Sequence, residues 1–304
     1  MNSHELMKKP ANMPITILSW VAGYVFKMAY GIATFVSGLY ITSFFVSIVV
    51  SVFVAPVYAE QSAVQLTQQP PASIQVNVAT SIRSQQQLQL RYPQPVRVNQ
   101  ILEDTRHNIH RLRELSGANP IYWSGASFYL SQPFPEKKQV ISRLQALAEQ
   151  WQGEQRTTVL ALIKLFESQV FQPRIFSTID IDQIRITPSL NPLITENMLL
   201  ILPSRPASVL ILGAVSEPQQ LSWQERTGAR EYLTQLSLLD NAENSEVVVI
   251  QPDGTVEHHP IAYWNHDHRD IAPGATLYLG FQSLPSGFTT LNEDIINLLR
   301  HRAL

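Results

Sequence analysis

The sequence predicts an α+β protein made of two successive sheet-forming units, and three observations carry that prediction. Period-2 alternation opens the first half of the chain after residue 72, and an apolar strand opens the second. Each half then carries a helical pattern before further strands. A proline-bracketed stretch, Pro203 to Pro206, separates the halves.

Ahead of both units stands an expected export signal. No residue between Lys27 and Glu60 is charged, and Lys8, Lys9 and Lys27 precede that run. The run ends in Val57-Tyr58-Ala59, which puts short side chains, Val57 and Ala59, three back and one back from a break, as signal peptidase accepts. Residues 1–59 therefore read as a signal peptide. The run also exceeds the roughly 20 apolar residues that cross a bilayer, so an inner-membrane anchor within 28–54 is the alternative. Met13 as the true start would shorten the leader. Export removes ATP-driven and nicotinamide chemistry from consideration. The chain has no Cys, which excludes a lipid-bearing cysteine, disulfides and Cys-ligated zinc. Residues 60–72 are polar and end in prolines, the composition of a disordered leader. Residues 60–304 hold 19 Lys and Arg against 23 Asp and Glu, a balance that argues against nucleic acid as a partner.

The first unit spans 73–204. Ile74, Val76 and Val78 alternate with polar residues, and Leu88 and Leu90 continue the alternation after a polar turn, so a β-hairpin is expected. Val98, Ile101, Leu102, Ile109 and Leu112 recur at helical spacing, with Gly117 as the stop. A hairpin followed by a helix is how a β-grasp unit begins. Residues 121–130 are aromatic and strand-like. Two amphipathic helices then fill 135–171 around Gly153, an αα-hairpin inserted in the unit. Strand character is expected at 174–187 and again at 198–202.

The second unit spans 205–288. Ser208 to Val215 reads as a strand and Trp223 to Leu236 as a helix. Val247 to Gln251 and Thr255 to His258 form a hairpin around Pro252-Asp253-Gly254, and Ala275 to Gly280 is the last strand. Residues 289–304 close the chain as an amphipathic helix with Leu291, Ile295, Leu298 and Leu299 on one side. Thr290 or Asn292 is its expected cap, with Glu293 and Asp294 in a favourable first turn.

Several stretches carry a family resemblance. Val209 to Val215, Leu221-Ser222-Trp223, Tyr232-Leu233 and Val248-Val249-Ile250 with its Pro-Asp-Gly turn resemble an SLBB-type β-grasp module of polysaccharide export proteins. Trp123-Ser124-Gly125-Ala126, Leu212 to Ser216, Ala262 to Asn265, Pro273-Gly274 and Leu277 to Phe281 resemble, in order and spacing, the GfcC family of periplasmic capsule and exopolysaccharide biosynthesis proteins. The resemblance covers nearly all of 73–304. It departs at the overlong N-terminus and the longer segment before Trp123. It implies two β-grasp (SLBB-like) domains, a helical hairpin inserted in the first, and a C-terminal amphipathic helix. In the export relatives such a helix lines an outer-membrane pore. Here about 14 residues reach roughly 21 Å, short of the roughly 30 Å hydrocarbon core, so docking on the second domain or on a partner is expected.

Four residues are candidates for ligand or partner binding: Arg174, Asp180, Asp182 and Trp123. Arg174 follows Pro173 where the helical hairpin returns to the sheet, and the resemblance places an Arg at that joint. A guanidinium held between elements can clamp a carboxylate of an acidic sugar through paired hydrogen bonds. Bonding to helix-end carbonyls, or pairing with Asp180, is the structural alternative. Asp180 and Asp182 are two apart on an expected strand and so share a face, where they could do acid–base work on a glycan; an exposed pair is the plainer reading. Trp123 and Trp264 could stack on sugars, but aromatics of small domains are more often core, and both are expected there.

His258, His259, His266 and His268 with Asp267 and Asp270 are the densest set of potential metal ligands. Adjacent strand residues point to opposite faces, so no metal site is expected, and no cofactor. No nucleophile-elbow, zinc-protease or nucleotide-binding motif occurs. The expected function is a non-catalytic periplasmic accessory of capsule or exopolysaccharide assembly. It would bind the outer-membrane export machinery, an acidic polysaccharide, or both. The alternative is a periplasmic polysaccharide-modifying enzyme using Asp180 and Asp182.

Overall fold

A computed structural model describes residues 73–116, 120–264 and 267–304. The expected signal peptide and disordered leader, the Gly117 stop and His266 lie outside the described residues.

The first sheet forms from β1 (Ile74–Ala79), β2 (Leu88–Tyr92), β4 (Ser127–Leu130), β5 (Arg174–Ile175) and β7 (Met198–Ile201). Between them run β3 (Val96–Arg97), α1 (Val98–His107), α2 (Ile109–Ser116), α3 (Glu136–Gln150), α4 (Gly153–Ser168), α5 (Ile181–Ile186) and β6 (Leu193–Ile194), with β3 and β6 paired apart from the sheet. The sheet order is β2-β1-β7-β4-β5, with β1 parallel to β7. Alternation sets the β1–β2 register: Val76 opposes Leu90 and Val78 opposes Leu88, and all but Leu90 are buried. The central strand β7 is buried at every residue and shows a continuous apolar run instead of alternation.

The second sheet comprises β8 (Ser208–Gly213), β9 (Gln219–Ser222), β10 (Glu246–Ile250), β11 (Val256–Pro260) and β12 (Thr276–Leu279), with α6 (Ala229–Leu233) between β9 and β10. Its order is β9-β8-β12-β10-β11, with β8 parallel to β12. This repeats the first sheet strand for strand: an opening hairpin, the last strand beside the first, and the third and fourth strands beyond it. That is the β-grasp arrangement, twice. Close packing of the central pair explains Gly213. Its φ is +109°, and a Cβ there would stand 2.0 Å from the Leu279 carbonyl oxygen.

Two expected elements differ. The strand expected over 174–187 stops at Ile175. Asp180 caps a helix there instead, accepting from the backbone N–H of Asp182 (2.9 Å) and Gln183 (3.2 Å). The helix expected over 223–236 shrinks to α6, and a strand, β9, precedes it. Trp223 is held out of a helix because its N–H donates to Ala207 O and its indole Nε1 donates to Ile271 O at 2.7 Å.

The inserted helical hairpin packs away from the sheet that carries it. Val140, Leu144 and Leu147 of α3 and Val159, Leu162 and Phe166 of α4 join the core of the second sheet. The chain's last helix, α7 (Leu291–Arg300), adds Leu291, Ile295, Leu298 and Leu299 to the same core. Thr158 Oγ1 donates to the carbonyls of Val215 (3.1 Å) and Ser216 (3.0 Å), and Arg143 pairs with Asp294. At the start of α7, Thr290 makes no side-chain cap. Asn292 instead ties the helix to the sheet, accepting from Tyr278 Oη at 2.8 Å and from the Phe281 N–H at 3.1 Å.

The first sheet has its own core, where Ile101, Leu102 and Leu112 of α1 and α2 and Ile181 and Ile184 of α5 cover one face. The opposite face presents Tyr129, Leu199 and Ile201 to Ala303, because the residues after α7 turn back to the first unit. Arg302 bridges Phe171 there, and Tyr129 Oη donates to Arg302 O at 3.2 Å. Among the described residues no helix is long and apolar enough to cross a membrane.

Candidate functional site

Arg174 lies where the two units meet. The edge strand β5 delivers it beneath the β10–β11 turn, and it is 6% exposed. Its Nη2 donates to Pro252 O at 2.8 Å and its Nη1 to Arg300 O at 3.2 Å. Its backbone N–H donates to His301 Nδ1 at 2.8 Å, and its guanidinium lies 5.3 Å from the Tyr129 ring centroid. The turn can approach this closely because Gly254 has no side chain: a Cβ there would meet Arg174 Nη1 at 2.6 Å, and its φ is +88°. Arg174 thus bonds a helix-end carbonyl and a turn carbonyl. Among the described residues neither it, Arg300 nor Arg302 forms a salt bridge. Main-chain dipoles hold all three: Arg300 Nε donates to Gly254 O, and Arg302 Nη2 donates to Gly274 O and Thr276 Oγ1. Burial pushes the Arg302 guanidinium down to about 10, with Arg174 adding to the effect and Tyr129 opposing it. Burial likewise lowers His301 and raises the Tyr129 phenol.

Beside this junction opens a cleft of about 1030 Å³. Its walls include Trp123, Phe176, Asp180, Asp182, Asp253 and Arg300. Three of the four candidate residues therefore converge on one space, and the fourth, Arg174, stands behind it under the turn. Trp123 is 40% exposed, which overturns its expected place in the core. It belongs to a 3-10 turn, Trp123–Gly125, ahead of β4 and not to the strand itself. Phe176 is also exposed, with the Arg300 guanidinium 4.1 Å from its ring centroid. Asp180 accepts the two α5 amides, and Asp182 lies 3.9 Å from Arg185 at the exposed first turn. The two carboxylates are thus not a strand pair.

On the other side of the turn a second cleft of about 1010 Å³ is lined by Arg205, Trp223, Arg226, Glu257 and Asp270. Ser124 and Asp253 border both clefts, so the two make one groove astride the Pro252–Gly254 turn. Asp253 stiffens the turn by accepting from Thr255 N–H and Oγ1, each at 2.9 Å. Trp223 sits under the Arg205 guanidinium at 5.0 Å, and Arg226 takes a left-handed φ of 58°. The arrangement offers aromatic faces, carboxylates and guanidinium groups, most of them already fixed by neighbours. That is a surface for stacking and hydrogen bonding to a polyhydroxylated ligand. Phe176, Asp253, Arg300 and Arg205 were not singled out from the sequence. Their meeting depends on docking between units, for which no local pattern exists.

The histidine-rich stretch is dispersed. His258 reaches Glu246 (2.9 Å), buried His259 reaches Glu257 (2.8 Å), His268 reaches Asp270 (3.3 Å) and Arg269 reaches Asp267 (3.7 Å). Among the described residues no three His, Asp or Glu side chains could hold one metal ion. Trp264 is 77% exposed and Tyr263 87%, against the expected core place of Trp264, because β11 ends at Pro260 and both lie in the loop beyond it.

Comparison with known proteins bears on the second unit most directly. Residues 217–303, from just before β9 through α7, match the family described as capsule biosynthesis GfcC C-terminal. Over 187 residues the chain is 26% identical to the uncharacterized protein YjbG of Escherichia coli K12, covering 60% of this chain and 76% of that one.

Proposed function

We propose that this chain, a member of the GfcC capsule biosynthesis family, is a non-catalytic accessory of capsule or exopolysaccharide assembly. It works in the periplasm by holding polymer, export machinery, or both along the groove beside the Pro252–Gly254 turn. The observation that carries this reading is the groove itself. Trp123 and Phe176 expose aromatic faces beside Asp180, Asp253 and Arg300, whose polar groups are already oriented by their own contacts. Sugar rings present apolar C–H faces to aromatics and hydroxyls to such groups, and preorganised partners lose little freedom on binding. Asp180 serves as a helix cap, which favours a positioning role over proton transfer.

The test is surface polysaccharide in a strain deleted for this chain and complemented with wild type or with Trp123→Ala/Phe176→Ala, protein levels being matched by immunoblot. Loss on deletion, unrescued by the double variant, is expected. Full rescue by that variant removes the groove from the account, and unchanged polysaccharide on deletion removes the pathway. Release of new reducing ends from the isolated polymer by the purified chain would overturn the non-catalytic reading. N-terminal sequencing of the exported protein is expected to begin at Glu60.

A further inference from the structure

The exposed side of the first unit's helices carries a concentration of basic side chains, three of them arginines, that the groove alone does not explain. Arg106, His107, His110, Arg111 and Arg113 fall within eight consecutive positions, and all five are exposed. The core face keeps its register across Asn108, since Leu102, Thr105, Ile109 and Leu112 all turn inward. Arg106 and Arg113 therefore line up at i, i+7 with His110 between them, a line of about 10 Å at 1.5 Å per residue, and Arg111 lies roughly 140° round the same exposed half of the helix. The nearest acidic residues on α1 are engaged elsewhere. Glu103 pairs with Arg185 at 2.7 Å, and Asp104 accepts from Tyr92 Oη and Gln100 Nε2, each at 2.9 Å. Among the described residues Arg106, Arg111 and Arg113 form no salt bridge. No acidic residue falls between Arg106 and Arg113, and Glu114 follows them. This stands out in a chain whose formal charge is −2. Arg106 also lines the 1030 Å³ cleft, so this basic face meets the rim of the groove.

We propose that this basic face is a docking surface for a polyanionic glycan, a chain bearing carboxylates or other fixed negative charges, which it holds at the rim of the groove beside Arg106, since Asp180, Asp182 and Asp253 inside the groove repel such charges. The inference rests on the groove-binding reading above and names the charge class of the ligand. Charge complementarity selects a polyanion. A lipid surface fits less well, because an interfacial helix turns an apolar face to the bilayer, and here the apolar face of α1 and α2 is spent on the core. None of the exposed large apolar side chains belongs to the described part of these helices.

The test uses the chain as purified from expressing cells, with polygalacturonate as the anionic probe, dextran as the neutral one and phosphatidylglycerol vesicles as the lipid one. Binding is read at low and high salt, because contacts between arginines and a polyanion weaken steeply as salt rises. Polygalacturonate binding is expected to weaken at least tenfold in Arg106→Gln/Arg111→Gln/Arg113→Gln. The control Lys138→Gln/Arg156→Gln/Lys164→Gln removes the same charge from the exposed helical hairpin and should bind within twofold of wild type. Equal melting temperatures separate lost docking from lost folding. Equal loss in both triples, no polygalacturonate binding by wild type, or preferential capture of the vesicles would each overturn the proposal. Rescue of surface polysaccharide by the Arg106/Arg111/Arg113 variant in the deletion strain would overturn this basic face and leave the groove reading standing.

Discussion

Arg174 shows how one side chain can be both the best sequence candidate and a structural clasp. Its guanidinium donates to carbonyls from a turn and a helix end, and its Nε is buried without a partner. Arg174→Met keeps the stem but strips those carbonyls of a charged donor. By the usual worth of such bonds the loss is on the order of 2–4 kcal/mol, measurable as a lower urea midpoint. His301 is coupled to it: the ring accepts the Arg174 N–H, stacks on Phe134 at 3.9 Å, and faces Phe176, Arg174, Arg300 and, more weakly, Glu136. Burial lowers its pKa and both arginines act the same way, against a backbone hydrogen bond with Gln172 and the Glu136 carboxylate, which oppose the shift. The unfolded chain therefore takes up a proton near the ordinary value of 6.5 while the folded chain resists it. Stability should fall as pH drops below about 6.5 and level off below the depressed folded value. Urea titrations at about pH 7.5 and about pH 5.5, on either side of the ordinary histidine value, test this, and His301→Gln should shrink the difference.

At the scale of elements, local chemistry decided where the patterns were ambiguous. Asp180 was legible as a charged residue but not as a cap, because Ile179, Ile181 and Ile184 permit either strand or helix, and only the amides after Asp180 choose helix. Asp180→Ala should cost about 1 kcal/mol, whereas Asp182→Ala should be close to neutral, a contrast readable in paired denaturant curves. The opening hairpin, the helical hairpin and the terminal helix were legible because each repeats a period over many residues. β9 was not, since Gln219–Ser222 is a short edge strand with two exposed residues. The exposure of Trp123 and Trp264 was also out of reach, because hydrophobicity marks what can be buried and the chain's path decides what is. The groove was legible only in parts: Trp123, Asp180 and Asp182 were picked out individually, while the turn that gathers them comes from the other unit.

At the scale of the molecule, the two sheets share supports. The insert carried by the first unit builds the second unit's core, and the tail of the second covers a face of the first. Thermal unfolding of the described region should therefore be one cooperative transition by far-UV and near-UV circular dichroism. Leu162→Ala in α4 and Leu200→Ala in β7 should each lower its midpoint by the equivalent of about 2–5 kcal/mol without splitting it. The exchanged supports also set an order of events during synthesis. The apolar face of α3 leaves the ribosome roughly a hundred residues or more before Ile295, Leu298 and Leu299 can cover it. Until the last helix arrives, the part of the α3 face that packs on it has no lasting cover. Such long-range closure is slow, and in the interval the chain is vulnerable to aggregation. A nascent chain of this design gains from being kept unfolded until it is whole.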